Sequence, residues 1–234
     1  DQPRSRGLGD VYKRQEVKST PNIVFVLFDD MGYGQPPSYR ADSLFKTPNI
    51  DRLARQGMRF TDAHSAAANC TPTRYGVLTG RYPCRIGQYG VLKTYSEPII
   101  PKTRLTVAAF LKGKGYNTAC IGKWHLGDSQ RKSSPTDRGF DSFYGIIDGA
   151  SSFFAPASLM RDKQPIEVSD LPADYYITDA ISDNAVQYIE KADRKKPLLL
   201  YVAYTAAHRP QHALPRDIER YNGSLKYTTD AADE

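Results

Sequence analysis

Cysteine is scarce: Cys70, Cys84 and Cys120 are the only three in 234 residues. So odd and sparse a set makes no disulfide framework, although one pair could bridge and leave a third thiol free for chemistry. Long apolar runs are missing too. The longest, residues 23–28, is strand-sized and far short of the ~20 residues a membrane-spanning helix needs. No block of lysine and arginine interleaved with aromatics occurs, which argues against nucleic acid as a partner. Internal repeats and low-complexity tracts are absent as well.

What is present suits one large globular domain. The chain is 40% hydrophobic and 25% charged, and its 16 tyrosines and 9 phenylalanines argue against disorder. The net charge of +6, from 32 basic and 26 acidic residues, fits either a mildly basic solvated surface or an attraction for anionic substrates. No signal peptide is visible. Residues 10–15, Asp-Val-Tyr-Lys-Arg-Gln, resemble the translation of a transposon adapter used in sequencing libraries. Residues 1–20 are therefore expected to be a non-native or disordered leader, with the folded region beginning at Pro21.

Residues 22–28 read as a strand that is apolar on both faces and hence buried. It stops at Asp29-Asp30, followed by a loop with Gly32 and Gly34. Thr47-Pro48 opens a helix with Thr47 as N-cap, an inner face of Ile50, Leu53 and Ala54, and Gly57 as its end. A second helix is expected from near Pro72 to Gly80, and a short one over residues 106–112, closed by Gly113 or Gly115. Residues 117–122 read as a strand. The polar stretch of residues 128–172 reads as surface loops. Ile177, Ile181, Ala185 and Ile189 recur every four residues and mark an amphipathic helix. Residues 198–204, entered after Pro197, form a further apolar strand. Alternating strands and helices predict an α/β fold with a largely parallel sheet.

In such sheets, sites form beyond the carboxyl ends of the strands. Three strands here end in polar groups: Asp29-Asp30, then Lys123-Trp124-His125, then Thr205 running into His208-Arg209-Pro210. Adjacent carboxylates past a strand suit Ca²⁺ or Mg²⁺, or else form a solvated cap. Lys123 and His125, one residue apart, would share a side of an extended chain. His208 is placed to act as a general acid. It also makes a His-x-x-x-His pair with His212, but Pro210 between them disfavours a zinc-binding helix. His64 has no evident partner and reads as structural. Pro72 puts Cys70 at a helix N-terminus, where unpaired amides favour an anion, and Arg74 lies one turn along the same face. That setting fits a buried structural cysteine or a thiol nucleophile of lowered pKa.

Two longer strings carry a family resemblance. Cys70-Thr71-Pro72-Thr73-Arg74-Tyr75-Gly76-Val77-Leu78-Thr79-Gly80-Arg81 resembles the type I sulfatase signature, Cys-x-Pro-x-Arg followed by Leu-Thr-Gly-Arg. Gly115-Tyr116-Asn117-Thr118-Ala119-Cys120-Ile121-Gly122-Lys123-Trp124-His125-Leu126-Gly127 resembles the second signature of that family. Pro21-Asn22-Ile23 with Asp29-Asp30, and Thr47-Pro48-Asn49-Ile50-Asp51, are similar to it as well. The similarity runs over residues 21–221, and residues 21–234 would be the N-terminal part of the catalytic domain.

The resemblance implies an alkaline-phosphatase-like fold, a mostly parallel sheet flanked by helices and incomplete at the C-terminus. It implies that a maturing enzyme oxidises Cys70 to formylglycine. One hydroxyl of the hydrated aldehyde would then attack sulfur while the other binds the metal. Asp29 and Asp30, with modified Cys70, would be ligands of Ca²⁺, or of Mg²⁺ in its place. Arg74 would hold the hydrated aldehyde, and Lys123 would contact sulfate and nucleophile. His125 would take a proton from the second hydroxyl, and His208 would protonate the departing alcohol. The activity implied is hydrolysis of a sulfated carbohydrate or an aryl sulfate, in the periplasm or outside the cell. A phosphonate or phosphodiester hydrolase with the same machinery, or a non-catalytic relative, are the alternatives. One departure stands out: after His208 no strand ends in the Asp-Asn pair that completes the family's metal site, and its further sulfate-binding lysine is not found. Residues 1–234 alone are thus expected neither to bind calcium tightly nor to turn over substrate.

Overall fold

The computed structural model describes residues 20–128 and 134–221. Six strands form one sheet in the order β1-β6-β2-β3-β4-β5. They are β1 (Ile23–Leu27), β2 (Asn117–Gly122), β3 (Ser142–Ile146), β4 (Leu159–Arg161), β5 (Gln164–Pro165) and β6 (Leu198–Ala203). The pairings β1–β6, β6–β2 and β2–β3 are parallel, while β3–β4 and β4–β5 are antiparallel. The helices are α1 (Pro48–Gln56), α2 (Cys70–Thr79), α3 (Val107–Lys112), α4 (Ile177–Lys191) and α5 (Pro215–Glu219).

β6 shows why the sheet is central. All six of its residues, Leu-Leu-Leu-Tyr-Val-Ala, are buried, as a parallel strand covered on both faces requires. Its side chains alternate between two cores. Leu199, Tyr201 and Ala203 join Tyr75 and Leu78 of α2 and Ala108 of α3. Leu198, Leu200 and Val202 join Ile177, Ile181 and Ala185 of α4. The result is three layers, with α2 and α3 on one face and α4 on the other. The mostly parallel α/β sheet is as the sequence predicts.

Several local expectations change. β1 is an edge strand paired only with β6, and Val24, Phe25 and Val26 are 51%, 39% and 47% exposed. Its apolar residues were read as buried on both faces, but no described element covers them. α1 starts and ends where expected, yet none of its residues is buried and Leu53 is 67% exposed. The Thr47 side chain does not cap that helix; its hydroxyl turns to Asp51 Oδ2, 3.3 Å away. The supposed loop region of residues 128–172 contains β3, β4 and β5, apart from residues 129–133, which lie outside the described residues. The expected leader, residues 1–20, lies outside them too, apart from residue 20. α4 buries Ile177, Ile181 and Ala185 but leaves Ile189 at 45% exposure. No bridge forms between any pair of the three cysteines.

Candidate active site

The carboxyl ends of β1, β6 and β2 are laced together by the backbone. Tyr204 N donates to Leu27 O at 2.8 Å, Asp29 N to Ala206 O at 3.0 Å, and Lys123 N to Ala203 O at 2.8 Å. These bonds fix the strand ends, and the side chains just beyond them converge. Cys70 arrives from the third side as the first residue of α2. Its Sγ lies 3.3 Å from Lys123 Nζ, and the same ammonium is hydrogen-bonded to Asp29 Oδ2. Arg74 sits one turn on in α2, as the i, i+4 spacing predicts. Its Nη1 donates to Lys123 O at 2.7 Å. Its Nη2 ion-pairs with Asp29 Oδ1 at 3.4 Å, without the geometry of a hydrogen bond. Arg74, Lys123 and Asp29 are all buried, at 1%, 0% and 5% exposure. Two desolvated cations thus face one carboxylate and one sulfur. Burial by itself would push the Asp29 carboxyl up, but Arg74 and Lys123 outweigh it and hold the carboxyl below its usual value. A cleft of about 250 Å³ opens beside this group, lined by Asp29, Asp30, Cys70 and Arg74 among others.

Lys123 and His125 do not share a pleated strand. The chain leaves the sheet at Gly122, whose φ is +112°, and His125 itself has φ +55°. The His125 ring is buried, with Nε2 2.9 Å from the Leu92 carbonyl. A carbonyl only accepts, so in the neutral ring Nε2 carries the hydrogen and Nδ1 the lone pair. Nδ1 is buried with no partner among the described residues. Burial, helped by the nearby Lys123 and Arg74 charges, pushes the imidazole pKa down to about 4, against the Leu92 bond and Asp29, which raise it. His125 is therefore neutral at pH 7, with a free basic nitrogen.

Of the other predicted residues, His208 closes the opposite rim. Asp29, Cys70 and His208 each offer a ligand atom, and these atoms all lie within 4.8 Å of one another. Asp30 is separate from them: its φ is +61°, its side chain is 58% exposed, and its Oδ2 lies 3.8 Å from His208 Nε2. The chemistry of this donor set decides which cation fits. Calcium and magnesium take oxygen, and a thiol is a soft ligand. The set suits a hard cation only once oxygen replaces Cys70 Sγ. His212 Nδ1 accepts a bond from Phe153 N at 3.4 Å, and His212 is not part of the candidate cation group among the described residues. His64, read as having no partner, lies 2.7 Å from Asp62 Oδ1 with both side chains exposed.

Sequence reasoning missed three supports. Thr71, fully buried, donates to His125 O at 3.0 Å and accepts from Leu92 N at 3.1 Å. It thereby fixes both the histidine and its carbonyl partner. Gly149 packs so closely on the His125 ring that a Cβ there would overlap it. Thr205, buried with an unpaired hydroxyl, lines a narrow hollow with Asp29, Lys123 and His208. Thr71 lies inside the first motif and Thr205 just past the end of β6, but neither a threonine nor a glycine signals in sequence which distant group it will meet.

Comparison with known proteins gives the family. The family model described as Sulfatase matches residues 21–233. Arylsulfatase J of Mus musculus is 33% identical over 218 residues, covering 88% of this chain and 36% of that relative. Steryl-sulfatase of Homo sapiens is 45% identical over 139 residues, covering 55% of this chain and 24% of that relative. Among solved structures, Ps i-CgsB in complex with k-i-k-neocarrahexaose superposes with a TM-score of 0.79 at 31% identity, covering 88% of this chain and 49% of that one. The chain thus spans well under half the length of these curated relatives. With the fold, the Cys70 helix and the match across residues 21–233 in agreement, this chain belongs to the sulfatase family.

Proposed function

We propose that the protein hydrolyses a sulfate ester of a sugar or an aryl alcohol, with position 70 as the source of the nucleophile. What carries this is the placement of Cys70 Sγ against the Lys123 ammonium, inside a buried group of two cations and one carboxylate. Charge that develops on sulfate oxygens in a transition state is stabilised best by cations already fixed in a water-poor site. Arg74 is fixed by the Lys123 carbonyl and Lys123 by Asp29. Neither needs to reorganise as charge builds up.

The histidines divide the proton transfers between them. His125 Nδ1, unprotonated and unpartnered, is suited to accept a proton from a hydroxyl at position 70. His208 stands at the rim with its side chain 24% exposed. Its Nδ1 donates to Arg209 O at 2.7 Å, so it is the doubly protonated imidazolium that would hold a proton on Nε2 to give to a departing alcohol oxygen. Asp29, Asp30 and an oxygen at position 70 would hold calcium, or magnesium in its place. Bound there, the cation would offset negative charge on the sulfate. Formylglycine at position 70 would supply that oxygen as a hydrated aldehyde. A maturing enzyme that reads Cys70, Pro72 and Arg74 together would act before α2 forms, because Arg74 is buried once it has. The periplasmic or secreted location belongs with this assignment and rests on the resemblance alone; among the described residues no helix is long and apolar enough to cross a membrane.

The test uses the full-length protein co-expressed with a formylglycine-generating enzyme. Aryl sulfate should be cleaved well ahead of an aryl phosphodiester. Lys123→Ala should lower kcat by about 10²- to 10³-fold, the typical loss of one preorganised charge donor. Mass spectrometry showing unmodified Cys70, together with an absence of sulfate release, would sink the proposal.

A further inference from the structure

The hollow beside His208 continues outward into features that sulfate chemistry does not use. Arg209 lines it next to His208. Its side chain is exposed, and no carboxylate pairs with it among the described residues. Phe153 lines the same hollow and leads into a cluster of rings. The Phe154 ring stacks on His212 with centroids 5.4 Å apart and planes 25° apart, and Tyr176 packs against Phe154 at 5.4 Å. The cluster is held firmly. Tyr176 Oη donates to His212 O at 3.0 Å, and Phe153 N to His212 Nδ1 at 3.4 Å. Phe154 nevertheless leaves 42% of its surface open.

An unpaired guanidinium thus follows in the chain the histidine that would protonate the leaving group, and a fixed, partly open aromatic ring lies beyond Phe153 of the same hollow. The leaving alcohol must lie on this side, because His208 Nε2 has to reach its oxygen. A phenol would need only the apolar ring. A free arginine fork adds a demand for a planar or tetrahedral anion, which it can hold through two parallel hydrogen bonds. A sugar ring presents C–H groups on one face, which pack on an aromatic, and carries ionised substituents at its edge.

On the footing of sulfate-ester hydrolysis, we infer that the leaving-group side of this site selects a sulfated saccharide carrying a second anionic group, which Arg209 binds while Phe154 supports the sugar ring. The second group is a carboxylate or another sulfate; both offer the paired oxygens that a guanidinium takes.

The experiment compares three substrates on the matured, metal-loaded full-length protein: a neutral aryl monosulfate, a disulfated amino sugar, and a sulfated disaccharide with a uronate. The quantity read is the ratio of kcat/KM for each polyanionic substrate over that for the aryl sulfate. Arg209→Ala should lower one or both ratios about tenfold, the scale of losing one charged hydrogen-bond pair that is partly open to water. The loss should lie mainly in KM and shrink as salt rises. Arg209→Lys should restore part of it and Arg209→Glu should deepen it. Phe154→Ala should lower both saccharide ratios. Which ratio falls on losing Arg209 identifies the second group as carboxylate or sulfate. If the wild type cleaves all three esters and the ratios do not move in Arg209→Ala and Phe154→Ala, the inference is overturned and sulfate hydrolysis stands. If the wild type cleaves no sulfate ester, both fall together.

Discussion

The two cations that hold Asp29 charged also help burial hold His125 neutral. That difference sets how the site responds to acid. The His125 pKa is lowered from 6.5 to about 4 in the folded chain. Between those values the unfolded chain binds a proton that the native chain refuses, so stability must fall as pH falls through this window. One such group contributes a slope of at most about 1.4 kcal/mol per pH unit. Denaturant melts of the metal-free chain from pH 7 to pH 4 should show that decline, and His125→Gln should flatten it; an unchanged slope in the variant would place the effect elsewhere. Asp29 acts in a lower window. Its carboxyl is held below 3.8, so the stability it adds is present above that value and is lost as pH drops through its folded pKa. Gly149 makes a separate point at the same scale. A side chain there would displace the His125 ring, and Gly149→Ala should cost about 1–3 kcal/mol of overpacking in a thermal melt.

Among the elements, Gly122 ties the sheet to the site. It ends β2 at φ +112°, and a Cβ there would run into the Ala203 carbonyl of β6. Gly145 of β3 packs as tightly against the Gly122 carbonyl. Gly122→Ala should therefore part β2 from β6 just where Lys123 begins, costing about 3 kcal/mol or more; circular-dichroism melts would read it, and a native-like midpoint would refute it. β6 and α4 were legible in the sequence because their signals are local: an apolar run of six and a period of four. β3 and β4 were not, since Ser-Phe-Tyr-Gly-Ile is interrupted by a glycine and Leu-Met-Arg is three residues long. Pairing makes them strands, β3 beside β2 and β4 beside β3. The misjudged burial of β1 has a similar origin, because a five-residue apolar string does not say whether it is central or at an edge. In the site, Cys70 and Arg74 could be joined from their spacing on one helix. Asp29 and Lys123 are 94 residues apart, and the Leu92 carbonyl that sets the His125 tautomer is backbone, which no residue type advertises.

At the scale of the whole molecule, the carboxylates that the described residues bring to the cleft beside Cys70 are Asp29 and Asp30. Calcium takes six to eight oxygen ligands. Calorimetry on residues 1–234 should find calcium binding no tighter than about 0.1 mM, and submicromolar binding would show that the donors suffice. The same distribution leaves Val24, Phe25, Val26 and Phe28 open along and beyond β1, an apolar edge of the kind that invites pairing with another chain. Trp124 offers a way to watch these events. It is the sole tryptophan in the sequence, it stands between Lys123 and His125, and it is buried with its ring edge-on to Phe140 at 6.4 Å. Every photon of indole emission therefore originates one residue from both the Lys123 ammonium and the His125 imidazole. Ordinary steady-state fluorescence becomes a site-specific spectrometer here, one that would register the proposed conversion of position 70, a cation or a sulfate ester at the site without any label.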